Sequence, residues 1–293
     1  MSEAKIAWLP DGRRLHMNHG PIDLIVEAFG AQSERRAAYA QAAGRFRTIL
    51  DELVAELPEL RKPVEPCAAS RFSGSAARCM AAACAAFAGT FITPMAAVAG
   101  SVADEILAAL VAGRSLDRAY VNDGGDIAVH LAPAQSMRLA IAGTGHGFAD
   151  RIEIDAASFV RGVATSGWRG RSFSLGIADA VTVLARSGAA ADAAATIVAN
   201  AVDLPGHPAV MRKPADEMAP DSDLGARPVT VDVGPLTRAE VARALDRGLA
   251  VAEDLRRRGL IEAAALFLAG EARVCGRMEE APAEPARKEL LHA

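Results

Sequence analysis

The chain is short of aromatic residues, of excess positive charge and of any familiar nucleotide-binding loop. Aromatics make up 4% of its 293 residues, with two Trp and two Tyr. That leaves little material for the stacking platforms that bind single-stranded nucleic acid. Lys and Arg number 32 against 36 Asp and Glu, for a formal net charge of -4. No basic footprint results, so nucleic acid is not an expected partner. The four cysteines, Cys67, Cys79, Cys84 and Cys275, include no CxxC pair and are too few for a disulfide framework. Cys79 and Cys84 lie in an Ala-rich run and read as small buried apolar residues. The N-terminus carries no basic stretch followed by an apolar one. The longest apolar runs are broken by Gly, Pro or charge, so no membrane span is expected and the protein reads as cytoplasmic. GxGxxG, Walker A, GxSxG and HExxH are all absent.

What is present suits a globular fold. The chain is 51% hydrophobic and 23% charged. A chain of this length buries about three quarters of its unfolded surface and needs no covalent staples. "KIAWL" and "RRLHMNHG" flank a "PDG" turn, and "PIDLIVEAFG" adds a further strand. A long amphipathic helix follows, with Ser33 as its cap and Pro58 as its end. An Ala-rich helix is predicted from "SGSAARC" to Gly89. The next takes Thr93 as cap, Pro94 as first residue and Gly113 just past its end. The middle is strand-rich: "AYVN", "DIAVHL", "MRLAIAG", "RIEI", "FVRGVATSG" and "AVTVLA". "GTGHG", residues 143–147, reads as a turn. Residues 205–228, rich in Pro and charge, read as a long loop or lid. "PVTVDVG" is a strand, Thr237 and Glu240 form a capping box, and "LIEAAALFLAGEARVCG" supplies a last strand pair. Strand groups with helices on one face argue an α+β fold with antiparallel sheets. One domain is expected over residues 1–275, with a charged tail over 276–293. Small-residue helices and the apolar C-terminal segment make a homodimer plausible.

Three segments carry candidate chemistry. In "VNDGGDI", Gly124 and Gly125 allow positive φ and leave no Cβ in the way of a ligand, with Asp126 behind them. Asp123 reads as a turn residue. "ATSG", Ala164 to Gly167, offers two hydroxyls and a flexible backbone at a strand end. In "AVTVLARSGAAADAAAT", a strand turns into a helix on which Asp192 and Thr196 stand one turn apart. A carboxylate and a hydroxyl so placed can reach one hard cation. Each also has a plainer reading: Asp192 can complement a helix terminus, and Thr196 can bond back to a carbonyl of its own helix. Arg169, Arg171 and Ser172 lie close to Asp179 in sequence. The arginines could hold phosphate or belong to a solvated loop.

The order "VNDGGDI … ATSG … AVTVLARSGAAADAAAT" resembles the ApbE-like family, the FAD:protein FMN transferases, over residues 93–200. It is nearest to an uncharacterised branch allied to those enzymes. The resemblance implies an α+β fold related to the tunnelling folds, with helices packed on one face. It implies Mg2+ on Asp192 and Thr196, and FAD or a related flavin- or pterin-like ligand lined by Asn122, Gly124, Gly125, Thr165, Ser166 and Gly167. Asp126 or Asp179 would then be the catalytic base. The chain departs from the transferases in the interval "WRGRSFSLGIAD", where they carry H-x-x-D-P-x-T-G, and it lacks their A-K-G helix start and M-G-T motif. Two readings follow from it, beside a metal-dependent hydrolase of an unrelated small molecule, which the dispersed carboxylates also allow. One is a Mg-dependent enzyme on a flavin- or pterin-like nucleotide. The other is a non-catalytic protein that holds such a ligand or a partner.

Overall fold

The structure, a computed structural model, describes residues 3–66, 68–140 and 151–278. Strands β1 (Lys5–Trp8), β2 (Leu15–His19) and β3 (Ile22–Gly30) open the chain as an antiparallel meander. Helices α1 (Gln32–Leu60), α2 (Ser75–Ala85) and α3 (Val98–Val111) follow. Then come β4 (Leu116–Asp123), β5 (Asp126–Leu131), β6 (Ser136–Ala140), β7 (Arg151–Asp155), β8 (Gly162–Ser166) and β9 (Ala180–Ala185). Helix α4 (Gly188–Ala201), β10 (Val210–Pro214), the short α5 (Ala215–Met218) and β11 (Pro228–Val233) lead to α6 (Arg238–Arg257), β12 (Ala263–Leu268) and β13 (Glu271–Cys275).

Nine strands form one antiparallel sheet in the order β1-β2-β3-β4-β5-β8-β9-β12-β13. The period-2 alternation of its strands divides the core in two. Ala119, Val121, Ala128, Ala164, Val181 and Val183 face the helices, where Phe46, Met80, Ile106, Ile197 and Leu245 pack. Ile127, Val129, Leu131, Val163 and Leu184 face the opposite way, against Met137, Leu139, Ile152 and Ile154 of the β6–β7 hairpin. The fold is thus α+β, with all the long helices on one face and a small hairpin covering part of the other. The many alanines on the helix face let α3 and α4 lie close to the sheet.

Helices α3 and α4 approach each other closely. A Cβ on Gly100 would stand 2.2 Å from the Gly188 carbonyl oxygen, so only glycine fits there. Among the described residues, one helical stretch, Pro94–Val111, is long and apolar enough to cross a membrane by length and composition, at mean hydropathy 1.5. Here it buries Gly100, Val102, Ala103, Ile106 and Leu110 among α1, α4 and the sheet, as a core helix does.

Several boundaries differ from the sequence expectation. Helix α1 starts after Ala31, which offers no side-chain cap, and Ser33 lies inside its first turn. It also runs through Pro58 to Leu60. Leu60 is fully buried, and that burial holds the last turn in place despite the missing N–H. Pro94 opens a short 3-10 turn over Pro94–Ala97 before α3 begins. Thr93 does not cap it; its hydroxyl bonds the Asp223 carboxylate instead. Residues 205–228 are not a structureless loop. They fold as β10, α5 and the turn into β11, anchored by Arg61 to Asp221 at 2.7 Å and by Arg227 stacked over Phe91. The expected capping box is present, with the Thr237 amide donating to Glu240 Oε2 at 2.8 Å. Cys84 is buried as expected and Cys79 half-buried. Cys67, "GTGHG" and residues 279–293 of the expected tail lie outside the described residues.

The α3–α4 contact makes a direct prediction. Gly100→Ala should destabilise the protein by about 2–3 kcal/mol, because a backbone carbonyl cannot step aside as a side chain can. Gly44 in α1 has no atom within 4 Å of the added Cβ, so Gly44→Ala should raise stability by up to about 1 kcal/mol. Urea unfolding midpoints of the two variants separate these outcomes.

Candidate functional site

The β4–β5 hairpin closes with Asp123 opposite Asp126, leaving Gly124 and Gly125 as a two-residue loop. Both glycines have positive φ, +63° and +118°. This tight turn needs that geometry, which other residues adopt only with strain. The Asn122 Oδ1 accepts the Gly125 amide at 2.8 Å and locks the tip. Alternation then splits the motif between the two faces of the sheet. Asn122 lies with Tyr120 and Ile127 on the β6–β7 side, lining a cavity there. Asp126 alternates with Ala128, which faces the helices. Asp123 is buried, which a plain turn residue would not be, and its Oδ1 accepts the Asp23 amide at 3.5 Å.

The second segment meets the first directly. Asp126 Oδ1 accepts the Thr165 amide at 3.1 Å, just beyond the last paired residues of β5 and β8. The side chain thus continues the ladder where the backbone pairing stops. Thr165 Oγ1 lies 2.8 Å from Thr182 Oγ1, its cross-strand partner on β9. Ser166 pairs with Val181 at the end of the same ladder. A Cβ on Gly167 would stand 2.5 Å from the Asp179 carbonyl oxygen, so this glycine lets the chain pass closely as it leaves β8.

The third segment arrives through helix capping. Asp192, on α4, accepts the Gly100 amide at 3.0 Å through Oδ2, at the first turn of α3. In return Asp104, on α3, accepts the Gly188 and Ala189 amides at 2.8 and 2.9 Å, at the first turn of α4. Each helix supplies the carboxylate that the positive end of the other calls for. The plainer reading of Asp192, a partner for a helix terminus, therefore holds for one of its oxygens, and the terminus is that of another helix. Thr196 follows one turn later on α4, half-buried.

These contacts gather acidic groups that repel one another. Burial pushes the Asp126 carboxyl up to about 7 against the opposing Thr165 amide bond, with Asp123 adding to the rise. Burial likewise pushes Asp123 up to about 7, while the Asp23 amide and the Arg171 charge pull it down. Asp192 is held well above the usual carboxylate range, first by burial and then by Asp126. Such groups can hold or give up a proton near neutral pH, or take a cation in its place. Among the described residues, no group of three or more His, Cys, Asp or Glu is placed to hold a metal ion. The two close carboxylates and the Thr196 hydroxyl fit a hard cation only with other oxygens, from backbone, water or ligand, completing the shell.

The two arginines near the site separate. Arg169 donates to Asp179 Oδ1 at 2.6 Å and stacks on Trp168. Asp179 Oδ2 also accepts the Ala269 amide at 2.7 Å, tying the loop after β8 to the β12–β13 turn. Arg171 instead lies over the glycine tip, its Nη1 3.0 Å from where a Gly124 Cβ would be. The structure thus brings together Gly124, Gly125, Asp126, Thr165, Ser166, Gly167 and Asp192, with Thr196 one turn away. It places Asn122 and the paired Thr165 and Thr182 hydroxyls on the other face, with only the Thr165 amide turned to Asp126, and binds Asp179 into a separate clamp. Asp104 and Asp123 joined the site without a sequence signal. Each sits in an ordinary helix or strand pattern, and only packing reveals its partner.

The raised carboxyls set a pH trend. In the unfolded chain these groups ionise near the normal Asp value of about 3.9, whereas in the fold Asp123 and Asp126 keep a proton up to about 7. Between those values the native state binds more protons, so stability should fall as pH rises from about 4 to 7 and then level. The melting temperature should drop by roughly 5 °C or more over that window. Asp126→Asn, which stays neutral, should flatten the fall, and a thermal series from pH 5 to 8 checks both.

A family profile described as "AbpE bacteria" matches residues 6–274 of the chain. A UPF0280 protein of Methanopyrus kandleri is 32% identical over 178 residues, covering 61% of this chain and 69% of that protein. One from Methanothrix thermoacetophila is 39% identical over 112 residues, covering 38% of this chain and 46% of its own length. The solved apo form of the Pseudomonas stutzeri flavinyl transferase ApbE overlaps 97% of each chain at 15% identity, with a TM-score of 0.46. The profile match runs from β1 almost to the end of β13, and with it the chain belongs to the AbpE bacteria family, an ApbE-like branch that holds uncharacterised UPF0280 relatives.

Proposed function

We propose that the cleft between the Gly124–Gly125 tip, the Thr165–Gly167 strand end and the α3–α4 junction binds a flavin- or pterin-like nucleotide together with Mg2+. The convergence of these three segments around Asp126 and Asp192 is the observation that carries the reading. Asp192 and Thr196 would hold the cation, in keeping with the motif resemblance. When bound, Mg2+ would act as a Lewis acid on a phosphate oxygen. The glycine tip gives the ligand a backbone surface without side chains, and Arg171 above it supplies a positive charge for phosphate. Asp126, held up near neutrality, is the group able to take a proton from the bound ligand. In this reading the protein is an enzyme on that nucleotide.

The interval 168–179 favours a second reading, in which the ligand is held without turnover. Here the transferases carry a His-Asp-Pro stretch, whereas both Asp179 oxygens are occupied by Arg169 and the Ala269 amide. The two readings differ in one measurement: product released from FAD with Mg2+ belongs to the enzyme reading alone.

Calorimetry with FAD, FMN, a pterin and GTP tests the site itself. Saturable binding is expected that weakens by about tenfold or more with a chelator, and similarly in Asp192→Asn, which can still accept the Gly100 amide. No heat with any of these ligands, with or without Mg2+, sinks the proposal. Mg2+ should also raise the melting temperature more at pH 8 than at pH 5, because protonated carboxyls do not bind it.

A further inference from the structure

On the sheet face away from the helices, β3, β4, β5 and β6 enclose a cavity of about 410 Å3. Its volume is in the range of small-molecule sites. Phe29, Ile127, Met137 and Leu139 make apolar walls, and they leave room for a flat ring. Two charged side chains on its lining are fixed before any ligand arrives. Glu27 is 7% exposed; its Oε2 accepts the Tyr120 hydroxyl at 3.2 Å and its Oε1 lies 3.6 Å from Arg13 Nε. Burial, with Glu27 beside it, pushes the Tyr120 phenol up to about 12, so it remains a donor. Arg118 stacks over Phe29 at 4.6 Å and donates from Nη1 to the Ser136 carbonyl at 3.0 Å. Its Nε–H is buried with no partner. That nitrogen is sealed off from solvent, so it is the rest of the guanidinium, on the cavity lining, that can meet a ligand oxygen or ring nitrogen.

We propose that this cavity seats the flat ring of the ligand, with Glu27 accepting a ring N–H and the Arg118 guanidinium donating to the neighbouring carbonyl. That pair selects heterocycles with a lactam edge, where an N–H donor adjoins a C=O acceptor, as in flavins and pterins. The inference rests on the nucleotide reading above and deepens it by assigning the ring to the opposite face from the carboxylates. Asn122 connects the two, since it lines the cavity and also bonds the Gly125 amide at the tip. With no Cβ at residues 124 and 125, a ligand can pass around the end of the hairpin, ring on one face and phosphates on the other.

The experiment compares riboflavin, FMN and a pterin with Mg2+-pyrophosphate, which has phosphates but no ring, on the full chain. Arg118→Met keeps the apolar stem and removes the donor. Glu27→Met keeps a stem of similar length and removes both acceptor oxygens. Both should weaken the ring ligands by about tenfold or more and leave Mg2+-pyrophosphate affinity within about twofold. The shift of flavin absorption on binding should fade in both variants. Unchanged riboflavin affinity in Glu27→Met overturns this inference and leaves the nucleotide reading standing. Equal loss of pyrophosphate binding also overturns it. A wild-type protein that binds no ring ligand overturns both together. Should Arg118→Met fail to fold, Glu27→Met decides alone.

Discussion

The contact of Gly100 with Gly188 sets the geometry of everything around the candidate site. Two helices come so close that a single methyl group would collide with a backbone carbonyl. At that distance each helix can reach the open amides at the start of the other, and Asp104 and Asp192 do so reciprocally. Capping of this kind normally uses a residue just before the helix. Here it joins residues 84 to 92 positions apart in the chain. The arrangement fixes Asp192 at the end of α3, beside Asp126 on the sheet, and leaves neither carboxylate in bulk water.

From that constraint follows the electrostatic character of the cleft. Asp123 and Asp126 stand opposite each other across a two-residue turn, and Asp192 faces them from α4. Helix termini and backbone amides offset some of the repulsion, and burial sustains the rest. A site built this way holds protons near neutrality and has a stored preference for positive charge. Arg171 over the glycine tip pulls the Asp123 carboxyl down, while Arg169 is bound into the Asp179 clamp.

The sheet has a second consequence. Because side chains alternate, one short motif serves both faces: Asn122 opens to the cavity under the β6–β7 hairpin, and Asp126 opens to the helices. The glycine pair between them is the only part of the motif that belongs to both. A ligand with a flat ring and a charged tail matches such a hairpin end in shape and in polarity.

The sequence by itself determined the local pieces. The "PDG" hairpin, the strand "DIAVHL", the turn at Gly124–Gly125 and the box at Thr237 and Glu240 depend on neighbours within a few residues, and each formed as its residue types dictate. The motif order also carried the family. Tertiary structure decided what depends on distant partners. Pro58 was kept inside α1 by the burial of Leu60, and residues 205–228 gained structure through Arg61 and Phe91. Asp123 and Asp104 became site residues, and Asp179 became a clamp, because of groups far away in the chain. A carboxylate reads the same in any sequence; whether it caps, clamps or repels is set by which amides and charges packing brings within about 3 Å of it.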